Sequence, residues 1–329
     1  MVTDHAVGEG GAVPRPAVNP TRPDEGPGAH PVQDGPPDAK LLLAVATTVL
    51  AWASAFVVIR SAGPHFSPGA LTLGRLLVGS VVLTLVVAGR RKVRLGRRDW
   101  ALVGLIGVAW FGVYNVALNA GEQHVDAGTA AMLIQVAPIL IGVLAGLLLG
   151  EGFPRALVVG GLVAFAGTLV IGIATSTGDA DVVGVLLVLL SAVVYAVAMV
   201  AQKVVLRRVP GLQVTWLACL VGTAATLVFT PTLVAEVRVA PTSALLGVLY
   251  LGVVPTALAF STWAYALSRT SAGRLGVTTY VVPPIAIGLG WLFLQEVPAL
   301  LAVAGGVLSL VGVALARRPS RPVVPETAA

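Results

Sequence analysis

Arg75 is the one ionisable side chain set deep in an apolar stretch of this chain, about two helical turns from the nearer end of a run of Leu, Val, Gly and Ser. A guanidinium at the middle of a bilayer costs at least about 2.5 to 3.5 kcal/mol, so it must face protein or water. Two uses fit it: meeting a carboxylate on a solute or at an outer gate, and donating to carbonyls at the end of a broken helix. Asn115 and Asn119 are four residues apart and share a helix face, with Trp110 and Tyr114 nearby. Gln135 and Tyr280 stand one turn before Pro138 and before Pro283 and Pro284, and Trp52, Tyr195 and Trp263 add rings with polar tips. Apolar walls carrying a few placed amides, hydroxyls and rings suit a neutral or zwitterionic small molecule, because they orient it without trapping a charge. For any single ring the alternative is an anchor at the membrane interface, which is the reading for Trp100.

The absences narrow the chemistry further. Glu151 and Glu296 fall at helix ends, and Glu122, His124 and Asp126 fall in a loop, so no carboxylate or imidazole is expected at mid-membrane. There is no Walker phosphate loop, HExxH pair, GxSxG elbow or paired-carboxylate site, so neither an enzyme nor a cofactor or metal is expected. Cys219 is the single cysteine and reads as a small buried hydrophobe.

Apolar stretches of about 20 residues must carry these groups. The chain has 329 residues, 57% hydrophobic and 11% charged, too little polar surface for a soluble globule of that size. The runs do not alternate as barrel strands do, so helices are expected. Ten spans fit: 41–59, 68–88, 101–120, 128–149, 156–174, 182–202, 212–234, 243–266, 274–295 and 299–316. Residues 1–39, rich in Pro, Gly and acidic groups, read as a disordered tail, and 318–329 as a short solvated end. With the N-terminus inside, all but Arg60, Arg75 and Arg238 of the 21 basic residues fall on one side, which predicts both termini in the cytoplasm. The net charge of +6 is then accounted for by topology and lipid headgroups, with no nucleic-acid partner. Arg in large excess over Lys, in an Ala-, Val- and Gly-rich chain, suggests a bacterial plasma membrane.

The second half of the chain repeats the first after 145 residues. Gly160, Gly161 and Gly167 recur as Gly305, Gly306 and Gly312; Pro138 and Glu151 recur as Pro283 and Glu296; Ala127-Gly128 recurs as Ala272-Gly273, and Gly107 as Gly252. The repeats run over 40–176 and 177–317. Five spans per copy make the copies insert in opposite orientations. The expected fold is therefore an all-α integral membrane protein of ten transmembrane helices in two inverted five-helix repeats. A proline inside a span removes a backbone hydrogen bond and is tolerated only beside protein or a wet cavity. Pro138, Pro283 and Pro284 thus predict paired breaks or hinges beside a central cavity.

These residues resemble the drug/metabolite transporter superfamily, and within it the ten-helix EamA-like proteins. The resemblance rests on Trp52-Ala53-Ser54-Ala55-Phe56, Leu71 to Leu77, and Pro138 leading to Gly150-Glu151. In the second copy it rests on Leu251 to Leu258, Tyr265-Ala266-Leu267, Ser271-Ala272, Pro283 leading to Glu296, and Gly305-Gly306 through Gly312. Two departures stand out: Val282-Pro283-Pro284 replaces a Glu-Pro pair, and no second-half arginine matches Arg75. The resemblance implies a secondary transporter of a small organic metabolite such as an amino acid, an exporter by alternating access, with Trp52, Arg75, Asn115, Asn119, Gln135, Tyr195, Trp263 and Tyr280 as substrate-binding candidates. Small multidrug exporters of that superfamily exchange protons at a mid-membrane glutamate, which this chain lacks. Its partners would be the solute and membrane lipids, with a homodimer compatible. A membrane scaffold or sensor without transport, and a carrier of multidrug or lipid-like solutes, remain the alternatives.

Overall fold

Proline and glycine set the ends of the helices into which the apolar runs fold. A computed structural model describes residues 39–121, 123–125, 133–176, 181–294 and 298–318. The expectations for the two tails, for Glu122, Asp126, Ala127, Gly128 and Glu296, and for the start of the fourth span lie outside the described residues.

The helices are α1 (Ala39–Ala62), α2 (Pro68–Val87), α3 (Arg97–Gly121), α4 (Ala137–Leu148), α5 (Arg155–Thr175), α6 (Val182–Val205), α7 (Gly211–Val239), α8 (Thr242–Arg269), α9 (Ala272–Phe293) and α10 (Leu300–Ala316). Among the described residues, eight of these are long and apolar enough to cross a bilayer, and α4 and α10 are shorter apolar helices. Pro64 lies in the turn that follows α1, and Pro68 opens α2 at its first turn, where a missing N–H breaks no bond. Asp181 and Ser271 cap α6 and α9 by accepting from the backbone N–H groups of Val183 and Arg274.

Two of the helical stretches are interrupted at equivalent points, and Pro138, Pro283 and Pro284 stand in the first turns that follow the interruptions. Before α4 the chain makes a turn at Gln135 and Val136, and Pro138 is the second residue of the helix that follows. In α9 the α-helix stops at Thr278, tightens to 3-10 geometry over Thr279–Val281 and restarts at Val282, with Pro283 and Pro284 in the new first turn. A second matched pair of irregularities lies in α3 and α8, which widen to π-helix over Gly107–Tyr114 and Gly252–Leu258. Such widened turns concentrate at functional sites.

Contacts between the halves are reciprocal. A Cβ on Gly160 would stand 2.6 Å from the Gly312 carbonyl oxygen, and one on Gly167 would stand 2.6 Å from that of Gly305. Since 160 corresponds to 305 and 167 to 312, each contact is the image of the other. Residue numbers rise along α5 as they fall along α10, so these two equivalent helices run antiparallel, as inverted copies require. Small residues let the backbones touch, which is how helices associate where lipid supplies no hydrophobic drive. The same reciprocity joins Gly107 to Ala218 and Val221, and Gly252 to Arg75 and Val78. It also identifies Ala218 as the residue that occupies Arg75's place in the second half.

On the face where the basic residues gather, side chains tie one half to the other. Gly150 and Gly152 take left-handed φ angles of 69° and 66°, which L side chains resist. The turn they make aims Glu151 at the start of α9, where its Oε1 and Oε2 accept from the N–H groups of Ala272 (2.7 Å) and Gly273 (3.0 Å). A carboxylate there also complements the helix dipole. Gln213 of α7 both donates to and accepts from the backbone of Val93, at 2.8 and 2.9 Å. Within the second half, Lys203 at the end of α6 donates to the carbonyls of Leu267 and Thr270 that close α8.

The contact between α5 and α10 gives a direct test. Gly167→Leu and Gly312→Leu each drive a side chain into the partner's backbone and are expected to lower stability by about 1–3 kcal/mol or more, read as a fall in melting temperature. Gly142→Ala meets nothing within 4 Å and serves as the control, holding stability or raising it slightly. Equal melting temperatures for all three would refute the close approach.

Candidate functional site

Five aromatic rings from four helices pack into one cluster. Trp52 of α1 packs against Trp110 of α3 (6.4 Å between centroids), Phe260 of α8 (5.6 Å) and Trp263 of α8 (4.9 Å). Trp110 lies 4.9 Å from Tyr195 of α6 and 5.0 Å from Phe260. Phe111 and Tyr114 extend the cluster, 4.4 Å from Phe260 and 5.8 Å from Tyr195. Trp110, Trp263, Phe260 and Tyr195 are buried, whereas Trp52 is only partly covered. The edge-to-face pairs among them, such as Trp52–Phe260 and Trp110–Phe260, contribute about 0.5–1.5 kcal/mol each beyond their buried area.

Among the described residues, two polar atoms inside this cluster have no partner. The Tyr195 hydroxyl and the Trp263 Nε1 are both buried and unbonded. Leaving a buried polar group unsatisfied costs about 1–3 kcal/mol, so each is a position where a bound molecule with a matching group gains directly.

A polar frame stands beside the rings. Arg75 of α2 donates from Nε to Thr256 Oγ1 of α8 (3.1 Å) and from Nη1 to Asn115 Oδ1 of α3 (3.3 Å). Asn115 donates in turn from Nδ2 to the carbonyls of Trp110 and Phe111, both at 3.0 Å. Thr256 donates to the Leu251 carbonyl at 2.8 Å. Widening to π-helix disturbs the backbone ladder, and these side chains bond the carbonyls within or just before the widened turns. Arg75 bridges the two widened turns and is buried, so its two partners, both neutral, answer the cost of placing it there. Asn119, one turn beyond Asn115, donates to Thr72 Oγ1 at 3.3 Å.

The eight candidate binding residues therefore divide into three groups. Trp52, Tyr195 and Trp263 come together in the aromatic cluster. Arg75, Asn115 and Asn119 join α2, α3 and α8 next to it. Gln135 and Tyr280 lie apart: the Tyr280 hydroxyl donates to the Gln135 carbonyl at 3.0 Å, and its ring packs toward Phe165 of α5. They are repeat partners that touch each other, which places them on the pseudo-twofold axis. A cavity of about 170 Å³ opens next to them, lined by Pro138, Gly142, Phe153, Leu157 and Gly161 among others, and Phe153 on its rim is exposed. Tyr265, a further aromatic of α8, stacks under Arg269 at 3.7 Å, outside the cluster.

Sequence reasoning passed over Phe260 and Phe111, since a phenylalanine in a span carries no polar signal. It passed over Gln202 of α6 as well, which is fully buried with neither end of its amide bonded among the described residues. A lone amide in an apolar run was the available clue.

Known proteins with this pattern share its length and its shape. The model of the EamA-like transporter family matches residues 39–173 and 182–318. A protein of Streptantibioticus cattleyicolor named "Probable terminal-alkyne amino-acid exporter" is 38% identical over 281 residues, covering 85% of this chain and 94% of its own. The "Pseudopaline exporter CntI" of Pseudomonas aeruginosa is 30% identical, covering 79% and 90%. A solved crystal structure superposes with a TM-score of 0.71 at 25% identity over 85% of this chain and 96% of that one. The chain is an integral membrane protein and a transporter rather than an enzyme, and it belongs to the EamA-like transporter family.

Proposed function

We propose that this protein exports a small amino acid with an apolar side chain across the plasma membrane, holding it in the chamber of Trp52, Trp110, Tyr195, Phe260 and Trp263. The observation that carries this reading is the pair of unbonded polar atoms, Tyr195 hydroxyl and Trp263 Nε1, in a wall otherwise made of rings. Both donate, so a carboxylate is their natural partner. The faces of the tryptophans attract an ammonium. What remains of the chamber surface is apolar and takes a short hydrocarbon side chain. Two relatives named as exporters, one of them for a terminal-alkyne amino acid, support the direction and the class.

Transport proceeds by alternating access between inverted halves. The basic face is cytoplasmic by the positive-inside rule. Loading from that face requires release of the ties of Glu151 to α9 and of Gln213 to Val93. Pro138 on one side, and Pro283 with Pro284 on the other, supply the hinges. Arg75 holds the frame instead of the solute, since its bonds already join α2, α3 and α8.

A second reading has one observation of its own. The cavity beside Pro138 and Tyr280 is apolar and rimmed by exposed side chains, which suits a lipid-like solute arriving sideways. Flipping of a fluorescent lysophospholipid in the same vesicles separates the two.

Counterflow of labelled propargylglycine, a terminal-alkyne amino acid, into proteoliposomes tests the main reading. Tyr195→Phe removes a single oxygen and is expected to reduce transport efficiency about tenfold or more while folding normally, and Trp263→Phe is expected to act in the same direction. Full activity in Tyr195→Phe would remove the chamber as the binding site. Arg75→Lys keeps the charge but cannot hold both Thr256 and Asn115 in the guanidinium's geometry. Its expected result is a lower melting temperature, with a coupling to Thr256→Val of about 0.5–3 kcal/mol in a double-mutant cycle. A raised half-saturation concentration with unchanged melting would make Arg75 a solute contact instead.

A further inference from the structure

Gln202 presents a problem that packing alone does not answer. It is wholly buried in α6, and among the described residues neither its Oε1 nor its Nε2 has a partner. A methionine has nearly the same shape and would leave nothing unsatisfied, so in this state the amide is a pure loss. A group that loses in one state gains in another, where something bonds it.

Its position says which state. Gln202 is seven residues beyond Tyr195, two turns along the same stripe of α6 and about 10 Å closer to the basic face. Ala198 and Met199 lie between them and are also fully buried. The next residue, Lys203, already holds the carbonyls that close α8. The stripe thus runs from the chamber wall to the level of the inter-helix ties, and opening of the basic face exposes its lower end first. An amide offers one acceptor and one donor group at a single point, which matches both charges of a zwitterion without a net charge to retain it.

We propose that Gln202 is a second solute-binding group on the basic-face side of the pathway, distinct from the chamber. Its Oε1 accepts from the solute's ammonium and its Nε2 donates to the carboxylate before the solute passes to Tyr195 and Trp263. The proposal rests on the reading of the protein as an amino-acid exporter.

Propargylglycine counterflow in vesicles of uniform orientation tests it, with substrate titrated from each face in turn. Gln202→Met is expected to raise the half-saturation concentration about tenfold from the basic face, to leave the opposite face within about twofold, and to raise the melting temperature. Tyr195→Phe is expected to raise both faces alike. If Gln202→Met changes neither face, or both equally, the second binding group is overturned while the chamber stands. If the wild-type protein moves neither propargylglycine nor any other zwitterionic amino acid, the exporter reading itself falls and this assignment falls with it.

Discussion

The centre of the molecule depends on buried side chains that bond the backbone at two widened turns. α3 and α8 widen to π-helix at or next to Trp110, Phe111 and Leu251, all of which are buried. Asn115 and Thr256 bond the carbonyls of these residues with their own side chains. Because both are then fixed in place, each presents an oxygen to Arg75, which joins them. One buried cation thereby locks three helices, and the widened turns set Trp110 and Phe111 on the cluster side of α3.

A duplicated chain in a twofold arrangement would by default make two equal sites, and this one does not. The reciprocal glycine contacts show that the backbones of the halves remain closely matched. The side chains have diverged at the centre of the bundle. Ala218 stands in Arg75's place, Tyr195 in that of Trp52, and Phe260 in that of Asn115 at the repeat distance. The polar frame is consequently built from α2 and α3 of the first half with Thr256 from the second, while the cluster takes rings from both. The backbones stay symmetric, and the asymmetric side chains build a single aromatic cluster.

Most of the helical fold was legible because an uninterrupted apolar run has few alternatives in lipid. The glycine and proline recurrences likewise exposed the duplication, since small residues mark close backbone approach and prolines mark helix starts. The widened turns were not legible: shifting the ladder by one residue leaves composition and periodicity almost unchanged, although Pro255 and the paired Gly107 and Gly252 sit within them. The candidate site was readable in its residue types and less so in its grouping. Gln135 and Tyr280, a repeat distance apart, meet through the Tyr280 hydroxyl and the Gln135 backbone carbonyl, while the Gln135 amide nitrogen is buried and unbonded among the described residues. Arg75 acquired partners 40 and 181 residues away, which no local pattern encodes.

The absence of a charge from the chamber wall is itself a functional property in the proposed role. A carrier must release what it binds, and an ion pair sealed away from water is strong to the point of retention. Tyr195 and Trp263 offer neutral donors, and the rings offer a diffuse attraction for a cation. Each contribution is moderate, so a zwitterion is held by several weak contacts that are lost together when the wall separates. The one strong cation nearby, Arg75, is already committed to Thr256 and Asn115 and takes no part in that exchange. Binding and framework are thus kept on different side chains, which lets the chamber open without undoing the centre that positions it.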